Sequence, residues 1–566
     1  MHNKLLKSTK PRRRTSVRLG ATAALCAALV AVSAGSVGAT TRSSALASGT
    51  LTVSFGNGSP FISNFNPFSA TANLQAYGLV YEPLWFWSMA DSADNHGWLA
   101  TSYAWSNGGK SITFQLRKGV TWTDGTPFTS ADVAYTFNLL AKNADLNPDS
   151  LPITSAVANG PYAVTVNFSS PAYTDINYIA GTTYIVPEHI WKSISEPTTF
   201  ANATPVGTGS YEVSKVSPSE LVMTANPHYY MPGLPHIQTL RYLYFNGNTA
   251  NDLAIESGSI DWGGAFIPNI KTTYESHKGF IVDAIPAAIA NIIPNFTKTI
   301  NGTYNPMSDL AVREAFSDAI NRTTIDNIVY DGESGPINDV ALVEPLFSGV
   351  TTAPFLNQRF SYSDMKAEAL LKADGYTMSG GAMTKDGKAL SLNIYVPDGW
   401  TDYQQDLQLL TTEEAAVGIT VNVVDPAFSE YANVREEGTF DSMLEYYGFT
   451  PSPYVYYKTL LDGQNIPPVG KAESAGDYGR FNDPAFNSAL NTIATLPSAA
   501  QQVPYFAKIE AIVAQQLPAI PLFDQQGDTE FNANVVGGYP TLANPYAEDV
   551  PIAPDYAWVT PRLYLK

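Results

Sequence analysis

Flat aromatic rings set beside carboxylates are the side chains of this sequence whose types and spacing could do recognition chemistry. Two tryptophans closely follow acids, in Asp261-Trp262-Gly-Gly-Ala-Phe266 and in Asp398-Gly399-Trp400. A further group, Tyr446, Tyr447, Phe449 and Tyr454, falls in the run from Leu444 to Tyr457. Sugar rings offer apolar faces that stack on such planes, while Asn, Gln, Asp and Glu can bond their hydroxyls. Each of these rings could equally be core or hinge packing, a role that fits Tyr81 and Trp122 better than ligand contact. Covalent and metal chemistry find less support. The chain has no His-Glu-x-x-His and no Gly-x-Ser-x-Gly. His96, His189, His228, His236 and His277 are isolated, and Thr208-Gly209-Ser210 reads as a turn. The carboxylates are scattered, so the facing pair of a glycosidase is not legible. The expectation is a protein that is not an enzyme and needs no cofactor or metal. A secreted glycosidase-like enzyme is the distant alternative.

Composition agrees with recognition of neutral or mixed ligands. Of the 566 residues, 45% are hydrophobic, 12% aromatic and only 15% charged, with 32 Tyr and 9 Trp. The net charge is −19, and the first 47 residues carry eight Lys or Arg and no acid. Beyond them, 24 basic residues face 51 acidic ones. So acidic a body attracts neither nucleic acid nor anionic lipid through its general field. The N-terminus reads as an export signal: basic over residues 4–18, then apolar from Leu19 to Ala34, then small. Val37-Gly38-Ala39 and Ala45-Leu46-Ala47 both suit a signal peptidase. Cys26, the single cysteine, sits within this segment after Leu25, which does not suit a lipid-anchor site.

The elements that must position the aromatic residues alternate between strand and helix. Thr50 to Phe55, residues 111–116 and residues 162–168 alternate with the period of strands. Residues 71–84, Ser130 to Leu140, 249–257, Asp309 to Tyr330 (one helix or a pair), Ser363 to Ala373 and Val503 to Leu517 read as helices. Ser130 and Ser363 are the expected caps of theirs, and a strand begins near Ile260. Leu390 to Val396, Tyr403 to Val417 and Ile419 to Val424 form one β-α-β unit. Intermingled strands and helices give the α/β class.

Seven stretches in order resemble family 5 solute-binding proteins. The first runs from Val80-Tyr-Glu-Pro-Leu through Trp98-Leu-Ala-Thr-Ser-Tyr-Ala-Trp to Phe114-Gln-Leu-Arg-Lys-Gly-Val-Thr-Trp-Thr-Asp-Gly-Thr-Pro. Pro205-Val-Gly-Thr-Gly-Ser-Tyr, Asn226-Pro-His-Tyr-Tyr and Glu256-Ser-Gly-Ser-Ile-Asp-Trp follow. Then come Val312-Arg-Glu-Ala-Phe-Ser-Asp-Ala-Ile-Asn-Arg, with Asn321 where the family pattern has an acid, Tyr362-Ser and Ile520-Pro-Leu. The resemblance implies a periplasmic-binding-protein type II-like fold, two hinged lobes with an extra inserted domain. Its expected division is 1–47 signal peptide, 48–87 lobe I, 88–204 inserted domain II, 205–285 lobe I, 286–523 lobe III and 524–566 lobe I again.

The implied function is the extracytoplasmic receptor of an ABC importer, closing on an oligosaccharide or short peptide between its lobes. The implied partners are that small-molecule ligand and a membrane permease, with the receptor itself a monomer, exported to the periplasm or cell surface. Peptide-binding members hold the peptide ammonium with an acid just after the strand corresponding to Leu444–Phe449. From Gly448 to Tyr457 no acid is present, and Glu445 and Asp441, the nearest substitutes, lie before that position. A buried ammonium without a counter-charge costs several kcal/mol. The reading therefore leans toward an oligosaccharide, with Trp262, Phe266, Trp400, Tyr446, Tyr447, Phe449 and Tyr454 as expected ligand contacts.

Overall fold

The computed structural model describes residues 49–566, apart from 55–58, 70, 92–93, 284, 336, 344–345, 348, 353, 357–359, 449, 473–475, 527–528 and 552–553. The expected export signal, Cys26 and Phe449 lie outside the described residues.

Three sheets organise the chain, in a mixed α/β fold. One has seven strands, in the order Phe280–Asp283, Thr529–Asn532, Trp262–Gly264, Thr50–Ser54, Thr239–Leu243, Glu220–Ala225 and Tyr211–Ser217. A second has five: Thr420–Val424, Ser391–Tyr395, Ser442–Gly448, Pro286–Pro294 and Ile520–Gln526. The third is a four-stranded antiparallel sheet of Ala100–Ser106, Ser111–Leu116, Ala163–Phe168 and Ile153–Ala158, inserted between strands of the first. The chain passes between the larger sheets at one place. Phe280–Asp283 pairs with Thr529–Asn532 in one sheet, and Pro286–Pro294 pairs with Ile520–Gln526 in the other. The outward and return crossings therefore run side by side, the arrangement of a hinge.

The five-stranded sheet is covered on both faces, as strands joined through helices require. Along Pro286–Pro294, Ala290 and Ile292 enter one apolar cluster while Ile289 and Ile293 enter the other. The β-α-β unit forms as its pattern indicates. Leu392 and Ile394 are buried between exposed Ser391 and Asn393, and Ser391–Tyr395 runs parallel to Thr420–Val424. Helix Thr401–Ala416 connects them.

Two local expectations are corrected. Residues 71–84 form no long helix, only the turn Leu74–Ala76. Gly78 takes a φ of 81° beside Ala557, where a Cβ would stand 2.4 Å from the alanine methyl. Pro83 then removes a donor, so the apolar run to Leu84 is buried by packing rather than by helical periodicity. Helix Ser130–Lys142 is capped by Thr129, not Ser130. Thr129 and Asp132 form a reciprocal capping box, while the Ser130 hydroxyl donates to the Gly160 carbonyl at 2.5 Å. Asp309 to Tyr330 resolves into a pair, Leu310–Ala319 and Arg322–Val329, with Asn321 capping the second.

Candidate ligand cleft

Most of the sequence motifs of the N-terminal half build a structural knot rather than a site. Gly207 and Gly209 pass directly beneath the backbone of Leu79 and Val80. A Cβ on Gly209 would lie 2.0 Å from the Leu79 carbonyl oxygen, and one on Gly207 1.9 Å from that of Val80. The Gly209 and Tyr211 amides donate to Val80 and Leu79 carbonyls at 3.0 and 3.1 Å. Glu82, wholly buried, accepts from Trp98 Nε1 at 2.8 Å and from the Tyr229 hydroxyl at 2.7 Å. Burial pushes its carboxyl up to about 7, against those two hydrogen bonds. Arg117 donates to the Trp98 and Gly97 carbonyls and lies over Tyr230.

A candidate cleft lies elsewhere. A cavity of about 230 Å³ opens between the inserted domain and the five-stranded lobe. One wall holds Trp87 and Met89, at the start of the inserted domain, and the π-helical turn Asn177–Thr182 within it, a backbone form concentrated at functional sites. Gly181 faces the Trp87 ring, where a Cβ would come within 3.2 Å of Cε3. Tyr447, Thr450, Pro451, Tyr456 and Thr459 form the opposite wall, and Pro554 closes the floor. Tyr447 is fixed by its hydroxyl, which donates to the Gly476 carbonyl at 2.8 Å. Among the described residues no charged side chain lines this cavity. Charge gathers beside it: Asp149 and Asp175 of the inserted domain act with Lys458 of helix Pro453–Leu461. Burial raises the Asp149 carboxyl to about 6, which Lys458 opposes and Asp175 assists.

The expected contact residues disperse. Tyr447 lines the cavity, and Tyr454, 7% exposed, sits on the adjoining helix near Thr174 and Asp175. Tyr446 points to the other face of the same strand, because neighbours in a strand alternate. There it stacks on Trp400, with centroids 6.1 Å apart and planes at 30°. Phe266 joins the same apolar cluster, edge-on to Tyr330 at 5.7 Å. Trp262 is wholly buried in the seven-stranded sheet, donating from Nε1 to the Asp549 carbonyl at 2.9 Å. It presents no surface to the cleft. Trp87, Tyr178 and Tyr456 escaped sequence reasoning. Trp85-Phe-Trp87 and Asn177-Tyr-Ile-Ala-Gly-Thr carry no periodic signal that separates ligand contact from packing.

Both acids weighed as substitute anchors are committed within their own lobe. Glu445 accepts from Arg435 Nη1 at 2.7 Å, from the Tyr431 hydroxyl at 3.2 Å and from the Tyr446 amide at 3.1 Å. Asp441 accepts from the Asn393 amide and side chain at 3.1 and 2.8 Å.

Residues 95–468 match the family described as bacterial extracellular solute-binding proteins, family 5. The chain belongs to that family. This family 5 solute-binding protein is therefore an extracytoplasmic, non-enzymatic component of ABC-type transport. It is similar to an ABC transporter peptide-binding protein of Brucella ovis, 27% identical over 462 residues, 79% of this chain and 82% of that one. It is also 25% identical to the glutathione-binding protein GsiB of Escherichia coli over 451 residues, 78% and 82% of the two chains. A periplasmic oligopeptide-binding protein of Thermotoga maritima superimposes with a TM-score of 0.84 at 25% identity, covering 92% of this chain and 99% of that one. The same protein with bound mannohexaose gives 0.80 at 24% identity, with the same coverage. Among the described residues no helix is long and apolar enough to cross a membrane.

Proposed function

We propose that this receptor captures a short neutral oligosaccharide between the inserted domain and the five-stranded lobe, for delivery to a membrane permease. The observation that carries the reading is the cavity wall: Trp87, Tyr178, Tyr447 and Tyr456 supply ring faces, Asn177, Thr182, Thr450 and Thr459 supply neutral polar groups, and no charged side chain is among the described lining residues. Aromatic planes with a few neutral hydrogen-bonding groups suit sugar rings better than the charged termini of a peptide. The commitment of Glu445 and Asp441 to internal partners supports the same choice.

A second reading, a peptide receptor, is favoured by one observation. Asp149, Asp175 and Lys458 beside the cavity could meet an ammonium and a carboxylate, and the Brucella and E. coli relatives carry peptide-binding and glutathione-binding names. Calorimetry with cello-, xylo- and gluco-oligosaccharides against di- to pentapeptides decides between them. Tight binding of a peptide, lost when its N-terminus is blocked, would replace the first reading with the second.

The proposal includes the domain division given above, export with cleavage after Ala39 or Ala47, and action as a monomer at the periplasm or cell surface. N-terminal sequencing of the secreted protein checks the cleavage; a sequence starting at Met1 or His2 would refute it.

A further inference from the structure

The seven- and five-stranded lobes meet a second time, away from the aromatic cavity, and there acid faces acid. Helix Asn248–Glu256 of the first lobe lies against the start of helix Thr401–Ala416 of the second. Asn248 Nδ2 reaches Thr401 Oγ1 at 3.3 Å and Asp402 Oδ1 at 3.5 Å. Gly247 and Gly399 face each other there, so that a Cβ placed on Gly247 would stand 3.8 Å from the Gly399 carbonyl oxygen. On one side stand Asp252, 9% exposed, and the half-buried Glu256; on the other stand half-buried Asp402 and fully buried Asp406.

Asp252 Oδ1 and Asp406 Oδ1 are buried without a hydrogen-bond partner. Asp406 Oδ2 accepts from the Tyr330 hydroxyl at 2.9 Å. The other titratable groups at this contact are Tyr330 and Tyr403, with Tyr446 and Glu445 behind Tyr403 and Glu530 buried behind the helix that carries Asp252. Among the described residues, the groups acting on Asp252, Asp402 or Asp406 include no lysine or arginine. The cations of neighbouring segments are occupied, Arg435 by Glu445 and Lys271 by Glu333.

We propose that closure of these two lobes is proton-linked, with Asp252 and Glu256 on one lobe and Asp402 on the other, backed by Asp406 within its own lobe, forming a gate that protonation shuts. Bringing carboxylates together out of water, with no counter-charge, disfavours their ionised forms. Burial first, then Glu256, then Asp402 across the contact, lifts the Asp252 carboxyl to about 7 from 3.8. Burial lifts that of Asp402 to about 6. In the open form Asp252 and Asp402, which face each other across the contact, regain water and return toward ordinary values. The closed form therefore holds more protons in the window between about 4 and 7. Closure is favoured as pH falls through that window and penalised above it. A receptor built this way holds its cargo most firmly in acidic surroundings and loosens toward neutrality, whichever ligand class fills the cavity.

The test needs no ligand. Spin labels on a Leu253→Cys, Gln405→Cys protein report the distance across the contact, since both positions are exposed. Between pH 7.5 and pH 5 the closed-to-open ratio should rise at least about tenfold, since the rise of the Asp252 carboxyl from 3.8 to about 7 exceeds one pKa unit and each unit is worth up to a factor of about ten. In the same labelled protein carrying Asp252→Asn and Asp402→Asn, the ratio should be high at both pH values. Asp252→Asn alone, a milder change, should remove part of the pH dependence. A distance distribution in the parent that does not change with pH would overturn the proposal. So would a double variant that is folded by circular dichroism and still follows the parent's pH dependence.

Discussion

The knot around Glu82 and the cavity around Trp87 lie five residues apart in sequence, yet they are built on opposite principles. In the knot the backbone and one carboxylate oxygen are committed. Two glycines admit a carbonyl that no other residue would, and one carboxylate receives an indole and a phenol. In the cavity, rings and small polar groups line open space. The first region pays for one backbone arrangement, so its residue types and spacing are narrowly restricted. The second must only fit a cargo, so many residue sets would serve. The parts of this chain that identify its family are therefore not the parts that choose its ligand.

Four changes test that contrast, from the largest expected effect to the smallest. Trp262→Ala empties a fully buried site in the seven-stranded sheet and should cost about 3–5 kcal/mol of stability. Denaturant unfolding measures the loss, and a variant as stable as the parent but weaker in binding would put Trp262 back in the cleft. Gly209→Ala forces a Cβ against the Leu79 carbonyl and should cost about 3 kcal/mol by overpacking, again without a specific effect on affinity in the folded fraction.

Glu82→Gln keeps the shape and the accepting oxygen. The folded-state value of about 7 lies above the ordinary 4.5, so stability from this group is complete below pH 4.5 and is lost as pH rises through about 7. The glutamine variant should match the parent near pH 4 and exceed it by about 1–3 kcal/mol at pH 8. Thermal melts across that range check it, and parallel profiles would show that Glu82 is not the group responsible. Trp87→Ala reverses the pattern. Melting should change little, while affinity for the tightest-binding oligosaccharide should fall on the order of tenfold. Unchanged calorimetric affinity would remove Trp87 from the site.

What could be read from sequence follows the same division. The β-α-β unit at residues 391–424 was legible because alternation and helical period both survive burial on two faces. The helix begun by Ser363 was legible because its cap bonds the Lys366 amide, as the residue type suggests. Residues 71–84 were not, since a buried apolar run looks the same whether helical or extended, and the deciding contact, Gly78 against Ala557, is remote in sequence. At the site, the want of an acid after Gly448 was visible as a gap in a pattern. Trp87 and Tyr178 were not, because they become cavity walls only when the inserted domain meets the other lobe. Tyr446 and Tyr447 show the limit plainly: adjacency in sequence suggested one surface, and the pleat divides them between two.

The side-by-side crossings have a consequence for how the polypeptide is assembled. Asp283 stands opposite Thr529 in the ladder, so from the viewpoint of the seven-stranded sheet the whole second lobe is the loop of a hairpin. The entropy of closing a loop grows only with the logarithm of its length, and it falls further when the loop has already folded on itself. The five-stranded unit can thus form first from contiguous chain, bringing its two ends together at Pro286 and Gln526. The outer sheet must wait for the C-terminal strand before its edge can be completed. A polypeptide delivered N-terminus first could pair its first strand, Thr50–Ser54, with Thr239–Leu243 and Trp262–Gly264, but would hold Phe280–Asp283 in reserve until nearly the last of the chain arrives.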